Sequence, residues 1–203
     1  MFIEIIIEPT YPNLPKAGES QFRIFNGHDC DYNFGIGQNV SNFDLLPGEH
    51  RSEYIYFSGE SLAITLSGTP LTSSTPSCGV ISQTGTLESG KANSFFLTKS
   101  GGSSIIEPYE DDPDKSRQGR PVVRILANLN GNKKIELNKK DNRYEFTSRN
   151  LTDVVAGNYE ILIANVSVKA DIDLKLGGVY TIVIVEKASG GFVSRNIISF
   201  LNL

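Results

Sequence analysis

Phe22-Arg23-Ile24-Phe25 is a short apolar run broken by one arginine, and it returns as Val123-Arg124-Ile125-Leu126. Brief runs of aromatic and β-branched residues bounded by Gly, Asn, Asp and Pro read as strands. Two further blocks recur in the same order. Gly59-Glu60-Ser61-Leu62-Ala63-Ile64 lines up with Gly157-Asn158-Tyr159-Glu160-Ile161-Leu162, and Phe95-Phe96-Leu97-Thr98-Lys99-Ser100-Gly101-Gly102 lines up loosely with Ile182-Val183-Ile184-Val185-Glu186-Lys187-Ala188-Ser189-Gly190-Gly191. Three blocks in one order predict an internal duplication. The copies differ in length because residues 67–86 have only a short counterpart near 164–170.

No stretch of ten or more residues places apolar side chains at the helical spacing i, i+3, i+4 and i+7. The expected fold class is therefore all-β: two small antiparallel β-sandwich domains of immunoglobulin or jelly-roll type, joined by a polar linker. Residues 1–19 read as a strand followed by an arm containing Pro9, Pro12 and Pro15, which cannot donate to a sheet. The first sandwich is expected over 20–107 and the second over 120–203. Between them, 108–119 is polar except for Tyr109 and reads as a linker unable to bury enough surface to order itself. In the second domain a single strand is expected over 157–169, and Asn130-Gly131 signals a tight turn.

Charge is divided unevenly. Residues 1–107 carry 5 basic and 11 acidic side chains, and residues 120–203 carry 12 and 8, so the halves stand near −6 and +4. The densest basic group is Lys133, Lys134, Lys139, Lys140 and Arg143, on two neighbouring strands and their turn. Cations so placed suit an anionic polysaccharide or an acidic protein partner, and lysines also keep exposed strand edges from pairing. Nucleic acid is set aside, because the chain is acidic overall and only Tyr144 accompanies the cluster.

Cys30 and Cys78 are the only cysteines, both in the first domain. A bridge between them closes a loop worth about 3–4 kcal/mol in the chain-entropy model and places the protein in an oxidising compartment. Residues 1–7 lack a basic leader region and are interrupted by Glu4, so they read as a strand; an exported protein would show its mature form here. No apolar run reaches the roughly 20 residues of a bilayer-spanning helix.

Chemistry-bearing motifs are sparse. Gly59-Glu60-Ser61-Leu62-Ala63 has the outline of a nucleophile elbow, but the residues after it continue as strand rather than helix. His28, Asp29, Cys30 and Asp31 are adjacent, and His50 and Cys78 could join them in space, yet one Cys near one His is not the paired spacing of a zinc site. Glu110, Asp111, Asp112 and Asp114 lack the glycine and terminal glutamate of a calcium loop. The sequence thus gives no catalytic residue, no cofactor and no resident metal. Three glycosylation sequons begin at Asn39, Asn150 and Asn165, as many as chance gives in a chain this rich in Asn, Ser and Thr.

The arm with Tyr11, Pro12, Pro15 and Gly18 leading into Phe22-Arg23-Ile24-Phe25-Asn26, the Phe95-Phe96-Leu97 strand ending in Gly101-Gly102, and Val122-Val123-Arg124-Ile125 after a polar segment together resemble the F proteins of bacterial alginate O-acetylation. The chain departs from them in Cys30, Cys78 and a Ser/Thr-rich insert at 69–77. The resemblance implies a periplasmic accessory protein that assists acetylation of alginate, cellulose or a similar exopolysaccharide through contacts with the acetyltransferase subunits, without catalysing transfer. Two other expectations stand beside it: a secreted carbohydrate-binding or adhesion module, disfavoured by the lack of Trp, and an acetyl carrier using a loop hydroxyl.

Overall fold

Strand β2 (Glu19–Asn26) sends Phe22 and Ile24 to one face and Arg23 and Phe25 to the other, and all four are buried. A strand buried on both faces lies inside a sheet, and the computed structural model places it there. The structure describes residues 7–8, 15–28, 30–36, 43–45, 55–58, 61–71, 78–100, 103–111, 119–147, 149–186 and 192–201. Among them every regular element is a strand, so the fold is all-β and sandwich-like.

The chain divides into two units, Pro12–Asp111 and Asp112–Leu203 with Met1–Tyr11. The first contains β2, β3 (Tyr32–Ile36), β4 (Phe43–Leu45), β5 (Ile55–Ser58), β6 (Ser61–Pro70), β7 (Ile81–Glu88), β8 (Ala92–Ser100) and β9 (Ser103–Glu110). One sheet runs β5-β2-β8-β9 and the other β4-β3-β6-β7. Phe22, Ile24, Tyr32, Phe34, Leu87 and Phe95 are among the side chains forming the core of this unit. Along β7 only Ile81 and Leu87 are buried while Ser82, Thr84, Thr86 and Glu88 are exposed, the alternation of a half-covered strand.

The second unit contains β10 (Val122–Asn128), β11 (Ile135–Lys139), β12 (Asn142–Phe146), β13 (Thr152–Asp153), β14 (Gly157–Ile163), β15 (Val166–Leu174), β16 (Gly178–Glu186) and β17 (Phe192–Leu201). Its sheets run β13-β10-β16-β17 and β12-β11-β14-β15, with β1 (Ile7–Glu8) added in parallel to β17. Strand order and sense therefore match between the units, down to the parallel pairs β2–β8 and β10–β16. Each of the three recurring sequence blocks falls on a matched pair of strands: β2 and β10, β6 and β14, β8 and β16.

Three details differ from the sequence reading. The strand expected over 157–169 is two strands, because Ala164 and Asn165 adopt positive φ (49° and 65°) and close a tight hairpin. Asn130-Gly131 carries the chain from one sheet to the other instead of closing a hairpin. Pro108, Tyr109 and Glu110, expected in the linker, extend β9, and Asp111 is buried.

Asp111 is buried for the sake of an arginine. Arg23 lies across the parallel pair from Ser94 and donates from Nε to its Oγ at 3.0 Å; Ser94 donates in turn to Asp111, whose Oδ2 lies 3.6 Å from Arg23 Nη2. In the other unit Arg124 faces Thr181 in the same register and donates from Nη2 to its Oγ1 at 3.1 Å. Removing one partner of a buried ion pair strands the other charge, at about 3–5 kcal/mol. Asp111→Ala is therefore expected to destabilise the first unit by about that amount, read as faster amide exchange across β2 and β8 with β10 and β16 unchanged.

Candidate functional site

Strand β10 leaves its sheet at Asn128, and the loop that follows is pinned from two sides. Asn130 N–H donates to Glu186 Oε2 at 2.9 Å, and Ala164 N–H donates to Lys134 O at 2.9 Å. Gly131, at φ 73°, supplies the bend. Held this way, the loop leaves an open cleft of about 210 Å³ at one end of the second sandwich. Its lining is mixed, with Ile125, Ala127, Leu129, Ile135 and Phe146 beside the polar Asn132, Lys133, Thr147 and Arg149. Arg149 donates to Ala127 O at 3.3 Å, and burial pushes its pKa below the ordinary arginine value. Small-molecule sites usually enclose about 300–1,000 Å³, so this cleft suits one protruding side chain or a short acyl group.

The matching end of the first sandwich is built differently. Leu71 N–H donates to Asp31 O at 3.0 Å, the counterpart of the Ala164–Lys134 bond. Beyond Leu71, however, the connection to β7 is long, where β14 and β15 are joined by a tight turn. Cys78, near the end of that connection, is disulfide-bonded to Cys30 with a Cα–Cα separation of 6.3 Å, as the sequence led one to expect. Beside the bridge sits fully buried His28. Cys30 N–H donates to its Nδ1 at 3.2 Å, and Ser104 Oγ lies 3.1 Å from its Nε2. Asn26 holds the turn from both sides, accepting from His28 N–H at 3.0 Å and donating to Cys30 O at 2.8 Å. Tyr32 stands edge-on to the imidazole and donates to Gly79 O at 3.0 Å.

The basic group of the sequence reading comes together on the β11–β12 hairpin, but mostly with its charge answered. Lys133 pairs with Glu186, Lys134 lies 2.9 Å from Glu136 and 2.6 Å from Glu145, and Arg143 pairs with Glu136. Lys139 donates to Ala156 O at 3.0 Å and lies over the Tyr159 ring. Lys140 is exposed in the turn. Of this group only Lys133 reaches the cleft. Sequence reasoning did not single out Phe146, Leu129 or Arg149, whose meeting depends on the sandwich end; the apolar Leu129 in an otherwise polar turn was the one visible sign.

Ser61 opens strand β6, as the reading of its motif expected, and His50 and Asp29 lie outside the described residues. Among the described residues no helix is long and apolar enough to cross a membrane. No protein-family model matches the chain, and no curated protein matches it.

Arg143, then Lys134, hydrogen-bond the Glu136 carboxylate and hold its pKa below the ordinary 4.5. A depressed carboxylate stabilises the fold above its unfolded pKa, and that contribution is lost as pH falls through the folded value. Glu136→Gln is thus expected to lower the urea midpoint at neutral pH, with the difference from the parent shrinking as pH drops below about 4.5.

Proposed function

We propose that this chain is a non-enzymatic docking protein whose second sandwich receives one apolar side chain of a partner protein in the cleft between Leu129, Phe146 and Arg149. The observation that carries this reading is the cleft itself, where Ile125, Leu129 and Phe146 meet the partly desolvated Arg149 at one end of the second sandwich. A cleft that sets apolar side chains beside a partly desolvated arginine suits an anchor residue, and a partner with an acidic group beside that residue complements it.

The setting we propose is the periplasm, with the chain acting as adaptor in O-acetylation of an alginate- or cellulose-type exopolysaccharide. The disulfide supports an oxidising compartment. The resemblance of the Phe22–Asn26, Phe95–Leu97 and Val122–Ile125 blocks supports the acetylation setting. We infer as well that the sandwiches arose by duplication, which the shared strand order and the shared arginine–hydroxyl pairs support.

Deleting the gene is expected to lower the O-acetyl content of the exported polymer without lowering its amount. Reintroducing Ala127→Trp, which fills the cleft, or Arg149→Glu is expected to leave acetylation low although the protein folds and is exported. Unchanged acetyl content on deletion would overturn the setting. Full rescue by both variants would overturn the cleft, and acetate release from esters by the purified chain would overturn the docking role.

A further inference from the structure

The disulfide end of the first sandwich holds a third donor. The sulfurs of Cys30 and Cys78 and an imidazole nitrogen of His28 all lie within 4.8 Å of one another. We propose that when the disulfide is open these side chains form a binding site for a thiophilic divalent cation, zinc(II) in the first instance, independently of the docking role.

Geometry comes first. With Zn–S near 2.3 Å and Zn–N near 2.0–2.1 Å, a tetrahedral centre holds its donors roughly 3.3–3.8 Å apart. A cluster confined within 4.8 Å needs only small side-chain movement to reach that spacing. The backbone already converges, because Cys30 and Cys78 sit on segments leading into β3 and β7, and Tyr32 ties the two together through Gly79 O at 3.0 Å.

The imidazole is also prepared. Its Nδ1 accepts the long 3.2 Å bond from Cys30 N–H, so Nε2 carries the proton and donates to Ser104 Oγ at 3.1 Å, an assignment that follows from the hydrogen-bond pattern. Ligating histidines nearly always give their other N–H to such a partner, which fixes the tautomer and the ring. Here Nδ1 would exchange the backbone donor for the metal, while the Ser104 contact stays in place.

Charge favours a divalent ion. Two thiolates buried without a cation would be costly, and a dication cancels both. Cys30 is buried and Cys78 half-buried, with Gly79 and Val80 exposed alongside, so one side of the cluster opens to solvent for metal entry and a fourth, water ligand.

The chemistry balances as follows. A dithiol reductant delivers two electrons and two protons to the Cys30–Cys78 bond, giving two thiols and leaving the reductant as its own disulfide. Zinc(II) then replaces both thiol protons, which pass to solvent. In either state the β6–β7 connection is tied to the turn before β3, by a covalent bond in one and by a metal in the other.

The test uses the full chain, reduced with a phosphine under argon and freed of reductant, titrated with cobalt(II) and then zinc(II). The expected result is one equivalent of cobalt with a thiolate-to-metal charge-transfer band and the visible bands of four-coordination, displaced by zinc, with nothing from the oxidised chain. His28→Asn keeps an acceptor for Cys30 N–H but offers no imidazole, and is expected to abolish the four-coordinate spectrum. Ser104→Ala is expected to weaken zinc about 10–100-fold. A reduced chain that binds no cobalt, or His28→Asn that binds as the parent does, would overturn the proposal. Should His28→Asn fail to fold, unchanged affinity in Ser104→Ala overturns it equally.

Discussion

An arginine inside a sheet has one tolerable orientation, and both sandwiches are organised around that constraint. Arg23 and Arg124 lie on strands otherwise committed to apolar burial, and each meets a hydroxyl directly across a parallel strand pair. Because side chains alternate along a strand, a slip of one residue in β2 would turn Arg23 toward the core and lift Phe22 and Ile24 out of it. The desolvation cost of a guanidinium without partners makes that register far worse than the native one. A slipped β2 would separate Arg23 from Ser94 and Asp111, so the buried arginine favours the native register.

The same constraint explains what the sequence revealed and what it hid. The FRIF and VRIL runs were readable because their pattern is local, and with them came the all-β class and the two-unit plan. Asp111 was not readable. In a row of acidic residues it looks like solvated linker, and only the position of Arg23, far away in sequence, turns it into a buried counter-ion. The hairpin at Ala164-Asn165 was hidden for another reason: neither residue is glycine, and an asparagine at positive φ leaves no compositional gap in a β-branched run.

Electrostatics were read from half of the facts. A count of Lys133, Lys134, Lys139, Lys140 and Arg143 describes a cationic patch, whereas strand pairing places Glu136, Glu145 and Glu186 among them. On adjacent antiparallel strands Glu136 faces Glu145, a repulsive pair unless cations bridge it, and Lys134 and Arg143 are the bridge. Much of the basicity of the hairpin is thus consumed in holding its own carboxylates together. Arg149, at the sandwich end, donates instead to Ala127 O and lines the cleft with Ile125, Leu129 and Phe146.

Spacing rules fail at the disulfide end because they describe sites made by one local turn. Cys30 and Cys78 are 48 residues apart, a distance no zinc motif would flag. In a sandwich, sequence separation and spatial separation are unrelated wherever a long connection returns to its own sheet end, and the β6–β7 connection does so here. The second sandwich has the tight Ala164-Asn165 turn at the equivalent place. The difference lies in one connection: the longer one between β6 and β7 carries Cys78, which is bonded to Cys30 beside His28, whereas β14 and β15 are joined by the Ala164-Asn165 turn. The two units thus differ at this connection while sharing strand order and the arginine–hydroxyl pairs.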